Sequence, residues 1–203
     1  SGNMLRADHD LAFMLQYENI AWYEDGAVRI LDRRVYPAKV EFVTCRTHQE
    51  VAQAITDMVT QSAGPYTAAP MGMALAAYEC RGRSGEEQLA YLQAAAHTIS
   101  HARPTTVKRM ALLCGLCVEE ARRALASGED AAEAIRNKTV ELNNVRYERV
   151  AKIGRYLVDM FPENGTVMTH CFAETIVGMM LRECAERGRH IRVFCPETRP
   201  YFQ

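Results

Sequence analysis

The chain has 203 residues, 48% of them apolar and 24% charged, with a formal net charge of −1. That length supports a real hydrophobic core in one large or two small domains. The charge balance argues against a nucleic-acid binder working through a broad basic face, and no apolar run approaches the roughly 20 residues needed to span a bilayer.

Residues 1 to 12 are mixed and polar, unlike a secretory signal, and Ser1-Gly2-Asn3 ahead of Met4 reads as a cloning remnant. Seven cysteines stand at 45, 80, 114, 117, 171, 184 and 195. An odd number at irregular spacing suits free thiols in a reducing cytoplasm better than a disulfide framework.

Residues 17 to 43 read as strands: Tyr17 to Tyr23 and Val28 to Leu31 flank Glu24-Asp25-Gly26, and Asp-Gly between β-prone runs signals a hairpin. From His48 the period becomes helical, with Val51, Ala54, Ile55, Met58 and Val59 on one stripe, until Ser62-Ala63-Gly64-Pro65 interrupts it. Met71 to Glu79 and Glu86 to Ser100 read as further helices. Pro104 stands where the next should begin, because its fixed φ and missing N–H are harmless in a first turn. That helix is expected to reach about Leu125, and another to run from about Asp130 to Met160.

After Pro162-Glu163-Asn164-Gly165 the pattern becomes strand, helix, strand: Thr166 to His170, Phe172 to Arg187, and His190 to Cys195. Such a β-α-β unit belongs to a parallel sheet. The expected fold is therefore α/β. An N-terminal β-hairpin region (4–46) precedes a helical domain (47–161), and 162–203 hold the first, truncated β-α-β of a Rossmann-like sheet.

Three places could carry chemistry. Thr169-His170-Cys171 falls at the carboxyl end of the first parallel strand, where open α/β sheets place ligands. Cys171 also precedes a helix whose N-terminal field favours thiolate, although Glu174 opposes it; the alternative is a small buried apolar residue. Arg103, ahead of Pro104, could clamp a phosphate beside free backbone donors, or simply be a solvated arginine. Glu197-Thr198-Arg199-Pro200 puts polar groups at the end of the second strand, where a simple turn would do the same. Cys114-Gly115-Leu116-Cys117 has redox or zinc spacing but lies within an apolar helix, which favours two core thiols. The histidines form no ligand-spaced cluster, and no metal is expected.

Four segments in order resemble the methylthioribose-1-phosphate isomerase family, which shares its fold with regulatory subunits of translation initiation factor 2B. They are Ala54-Ile55 to Met58-Val59 with Ala63 to Ala77; Ala102-Arg103-Pro104-Thr105; Thr169-His170-Cys171; and Ile191-Arg192-Val193-Phe194 to Glu197-Thr198-Arg199-Pro200 with Gln203. The resemblance implies isomerisation of an aldose 1-phosphate to a ketose 1-phosphate in methionine salvage, with no cofactor, by a homodimer. It implies Cys171 as catalytic acid or base, and Arg103 and Gln203 as substrate-binding residues, with Gln61, Ser62 and Ala63 closing over the phosphate.

Two departures bear on the substrate. Gln61-Ser62-Ala63-Gly64-Pro65 replaces the family's Arg-Gly-Ala-Pro, and Phe172 and Glu174 replace small residues after Cys171. The family's aspartate and lysine fall beyond Gln203, so this segment alone is expected to be inactive. The C-terminal half of the protein is accordingly expected as a partner, held non-covalently if the chain was cut after Tyr201-Phe202-Gln203. The competing expectation is a non-catalytic, ligand-sensing protein of the initiation-factor type.

Overall fold

The computed structural model describes residues 5–161, 166–168, 174–190 and 192–194. The chain divides into two compact units, one formed by 16–143 and the other by 1–15 with 144–203. These units do not follow the segments 4–46, 47–161 and 162–203 one for one, because strands and helices share a core.

In the first unit a helical turn, α1 (Tyr17–Ile20), leads into β1 (Ala21–Glu24), β2 (Ala27–Leu31) and β3 (Phe42–Cys45). The strands form one antiparallel sheet in the order β1-β2-β3, with Trp22 opposite Arg29 and Val28 opposite Cys45. The Asp-Gly hairpin is present: Asp25 and Gly26 both take positive φ, as a tight turn between twisted strands requires. A methyl group on Gly26 would lie 2.5 Å from the Tyr78 ring, so this turn needs glycine for space as well. The first strand is shorter than its composition suggested, since Tyr17 to Ile20 turn helically and bury Tyr17.

Four helices follow the sheet in this unit: α2 (His48–Thr56), α3 (Pro65–Glu79), α4 (Gly85–Ser100) and α5 (Val107–Ala126). Local signals set their starts. The Thr47 and Ser84 side chains accept from the backbone N–H of Glu50 and Glu87, each at 3.2 Å, satisfying donors left over at a helix start. Pro65 occupies the first turn of α3, six residues before the start inferred from sequence. Pro104, in contrast, does not begin α5. Residues 101–106 form a turn tied to its neighbours, and the helix starts only at Val107.

Helix α3 is buried on all sides, from Pro65 and Thr67 through Ala77. Its surface is mostly alanine, glycine and methionine, which lets α2, α4, α5 and β1 pack around it. A Cβ at Gly72 would sit 2.8 Å from Val51 Cγ1 and 3.1 Å from Ile99 Cδ1, so α2 and α4 close on α3 at the one residue without a side chain.

A polar lock ties three of these helices. The Glu79 carboxylate accepts from the backbone N–H of His48 at 2.5 Å, from His48 Nδ1 at 3.0 Å, and from the Tyr91 hydroxyl at 2.5 Å. Burial pushes the Glu79 carboxyl up, but these hydrogen bonds and the His48 ring outweigh it and hold the group below its ordinary value. The cysteines of the Cys-x-x-Cys spacing are core residues: burial pushes Cys114 up to about 12 and raises Cys117 well above the ordinary thiol value. All five described thiols are free and buried.

Helix α6 (Ala131–Met160) begins on Asp130, whose carboxylate accepts from Glu133 N–H at 3.0 Å, and the division between units falls within it, after Asn143. In the second unit the Tyr147 hydroxyl donates to Leu15 O at 2.7 Å, and Arg182 donates to the carbonyls of Ala7 and His9. Val158 packs with Met180 and Cys184 of α7 (Glu174–Glu186). The expected β-α-β is present in shorter form: β4 (Thr166–Met168) pairs in parallel with β5 (Arg192–Phe194), Val167 opposite Val193. No described helix is long and apolar enough to cross a membrane.

Replacing Glu79 by Gln puts an amide N–H₂ against a donor and removes the charge, at a cost of roughly 2–4 kcal/mol. Because the folded-state pKa is depressed, the Glu79 contribution is complete above about 4.5 and is lost as pH falls through the folded value. Thermal unfolding of the two proteins from pH 7 to pH 3 checks both points. The stability difference should be largest at pH 7 and shrink below pH 4.5.

Candidate functional site

The segment between α2 and α3 is a tight loop fixed from within and from outside. Met58 and Ser62 both adopt left-handed φ, near +60° and +56°. Val59 N–H donates to Ala54 O at 3.0 Å, Gln61 Nε2 to Met58 O at 3.1 Å, and Gly64 N–H to Gln61 O at 2.9 Å. Arg33 N–H, beyond β2, reaches Val59 O at 2.8 Å.

Arg103 is the external tie. Its Nε donates to Ile55 O at 2.9 Å and its Nη2 to Thr60 O at 2.7 Å, so the guanidinium spans the loop from the last turn of α2 to its middle. Alongside it, Thr56 Oγ1 donates to Ala102 O at 2.8 Å. The turn of residues 101–106 and the 57–64 loop are thus held together across more than forty residues of sequence. Burial pulls the Arg103 guanidinium below the ordinary arginine value, partly offset by Tyr66, though an arginine keeps its charge throughout the physiological range. Two of its five N–H donors serve the backbone.

This geometry joins the sequence candidates unevenly. Arg103 and the segment Gln61-Ser62-Ala63 belong to one assembly, although the contacts of Arg103 are with Ile55 and Thr60. Cys171 and Gln203 lie outside the described residues, as do Thr169, His170 and residues 197 to 200. Sequence reasoning missed Thr56, Thr60, Gly64, Tyr66 and Arg109. The Arg109 guanidinium sits 4.1 Å from the centre of the Tyr66 ring, adding a second cation beside the start of α3. Gly64 had a legible signal, a glycine directly before a helix-starting proline. Thr60 had none, since nothing local marks a threonine that is 2% exposed within a loop. Among the described residues no group of three or more His, Cys, Asp or Glu side chains could hold a metal ion.

A Cβ on Gly64 would lie 2.0 Å from Thr60 Oγ1 and 2.9 Å from Gln61 O. Gly64→Ala should therefore cost about 1–3 kcal/mol, as overpacking does. Adding Thr60→Ala removes the worse clash, so the double variant should lose clearly less than the sum of the single losses. Chemical denaturation of the four proteins measures this coupling; simple additivity would contradict the contact.

The Initiation factor 2 subunit family matches residues 62–203. Among curated proteins, a methylthioribose-1-phosphate isomerase of Roseiflexus castenholzii is 34% identical over 90% of this chain and 55% of its own length. One from Thermosipho melanesiensis is 30% identical over 93% of this chain and 56% of its own. The chain thus spans about half the length of the curated relatives it matches. Among solved structures, translation initiation factor eIF-2B, subunit delta, from A. fulgidus superposes with a TM-score of 0.64 at 26% identity, covering 89% of this chain and 54% of that one. The fold is also that of 5-methylthioribose 1-phosphate isomerase from Pyrococcus horikoshii, with a TM-score of 0.63 at 19% identity over 87% of this chain and 60% of the other. With a family match over residues 62–203 and a 34% identical relative covering nine-tenths of the chain, this protein belongs to the initiation factor 2 subunit family.

Proposed function

We propose that the protein is a sugar-phosphate isomerase converting 5-methylthioribose 1-phosphate, or a close analogue, to the corresponding ketose 1-phosphate. The observation that carries this reading is the run of relatives bearing that isomerase name along nearly the whole chain, together with an arginine-braced loop where the phosphate should sit. In this reading β4 and β5 begin a Rossmann-like sheet, completed by sequence beyond residue 203. Cys171 follows β4 (Thr166–Met168) in sequence, and open α/β sheets bind ligands beyond the carboxyl ends of their strands.

The chemistry suits these residue types. A phosphate on the anomeric oxygen blocks spontaneous opening of the sugar ring, so a proton must be supplied as the ring opens. A base must then take the C2 proton while C1 regains hydrogen. Cys171 would serve as one partner of this acid–base pair. The remaining N–H donors of Arg103, the backbone at Ser62-Ala63 and the side chain of Gln203 would hold the phosphorylated sugar. Gln61 stands where the resemblance to the family's Arg-Gly-Ala-Pro implies an arginine, and Arg109 on the Tyr66 ring supplies a cation nearby. The reading includes the C-terminal half of the protein and a homodimer.

A second reading is favoured by that same glutamine and by the likeness to the delta subunit from A. fulgidus: a ligand-sensing protein without turnover. Assay of the full-length protein with 5-methylthioribose 1-phosphate separates them. Cys171→Ser should lose isomerisation at least about a thousandfold while ligand binding persists, because a hydroxyl does not match a thiol as proton donor or acceptor at neutral pH. Arg103→Ala should weaken binding by about 2–3 kcal/mol, through both lost contacts and a loosened loop. Binding without turnover in the wild type would favour the sensor.

A further inference from the structure

Histidines 97 and 101 occupy one face at the end of α4, one turn apart, and both are exposed. Their rings stack with centroids 4.0 Å apart and planes inclined by 29°. His101 Nδ1 lies 2.8 Å from His97 O, and Ser100 Oγ, which itself donates to that carbonyl, lies 3.1 Å from the same nitrogen. A carbonyl can only accept, so Nδ1 carries the proton and the lone pair of His101 is on Nε2. That arrangement, a backbone carbonyl fixing one ring nitrogen and leaving the other as donor to a metal, is the usual outer support of a histidine ligand.

We propose that His97 and His101 bind a divalent late-transition-metal ion (nickel, copper or zinc) through their two Nε2 atoms. Two adjacent imidazole nitrogens about 2.0–2.1 Å from one ion lie roughly 3 Å apart. The rings already stand side by side, with centroids 4.0 Å apart, and rotation about the side-chain torsions turns both Nε2 lone pairs toward one ion. Imidazole ligands select these metals over magnesium or calcium. With two protein ligands, water fills the other positions. The site departs from the expectation that the histidines form no ligand cluster; the signal was their four-residue spacing on a helix. Capping of α4 by His101 uses Nδ1 and leaves Nε2 free, so capping and metal binding are compatible. The ion would pin the start of the 101–106 turn, which also carries Ala102 and Arg103.

Titration of the protein with nickel chloride by calorimetry tests this, with thermal unfolding alongside. Each of His97→Gln and His101→Gln should lower nickel affinity at least about tenfold, because a chelate becomes a single contact. The wild type should gain thermal stability with nickel, and the variants should lose that gain. His190→Gln, an exposed histidine elsewhere, should leave binding unchanged. A second measurement on the wild type needs no variant: paramagnetic nickel should broaden the ring signals of His97 and His101 before those of His9 and His190. Equal affinity in wild type and both glutamine variants, or earlier broadening at another histidine, overturns the proposal.

Discussion

The larger unit depends on one constraint: α3 has no solvent-facing side. A helix buried all round must present small or pliable residues wherever a neighbour approaches, and Ala68, Ala69, Gly72, Ala74, Ala76 and Ala77 do so, with Met71 and Met73 filling the gaps. Every other element of the unit is placed by this axis. The sheet lies against it through β1, α2 and α4 meet at Gly72, and α5 runs along it with Cys114 and Cys117 turned inward. Dispersion contacts at such close range are individually small and collectively large, so the core relies on fit more than on bulky side chains.

That axis also explains the placement of the candidate site. The loop before α3 has to deliver Pro65 directly into the core, and it does so through two left-handed residues and a glycine pressed on Thr60. Val59 and Thr60 bury part of this loop, and Arg103 and Thr56 add restraint from across the fold. An arginine bonded to backbone carbonyls has two roles: it sets the shape of the loop and leaves charge beside it. A substitution there therefore changes a surface as well as a contact.

The legible parts of the fold were those in which local chemistry and tertiary packing agree. Asp25-Gly26 specified the hairpin, and the apolar period from Val51 to Ile55 showed the inner face of α2. The start of α3 was placed too late because its small residues lack periodicity when every face is buried. Pro104 reads as a helix start because the rule is local, whereas the turn around it is held by Ile55, Thr56 and Thr60. Arg103 was legible as a candidate but its partners were not: nothing in a sequence announces that a guanidinium will face two main-chain oxygens. The parallel pairing of β4 and β5 followed from the strand–helix–strand order, while Cys171 and Gln203 rest on resemblance to relatives.

The inward pair Cys114 and Cys117 has a practical consequence. Both thiols are wholly enclosed and pushed strongly toward the protonated form, so alkylating reagents in solution meet neither while α5 stays seated. They become reactive only when the helix lifts from its neighbours. The time course of their modification is therefore a built-in clock for opening of the core, recorded in the mass of the chain without any added probe.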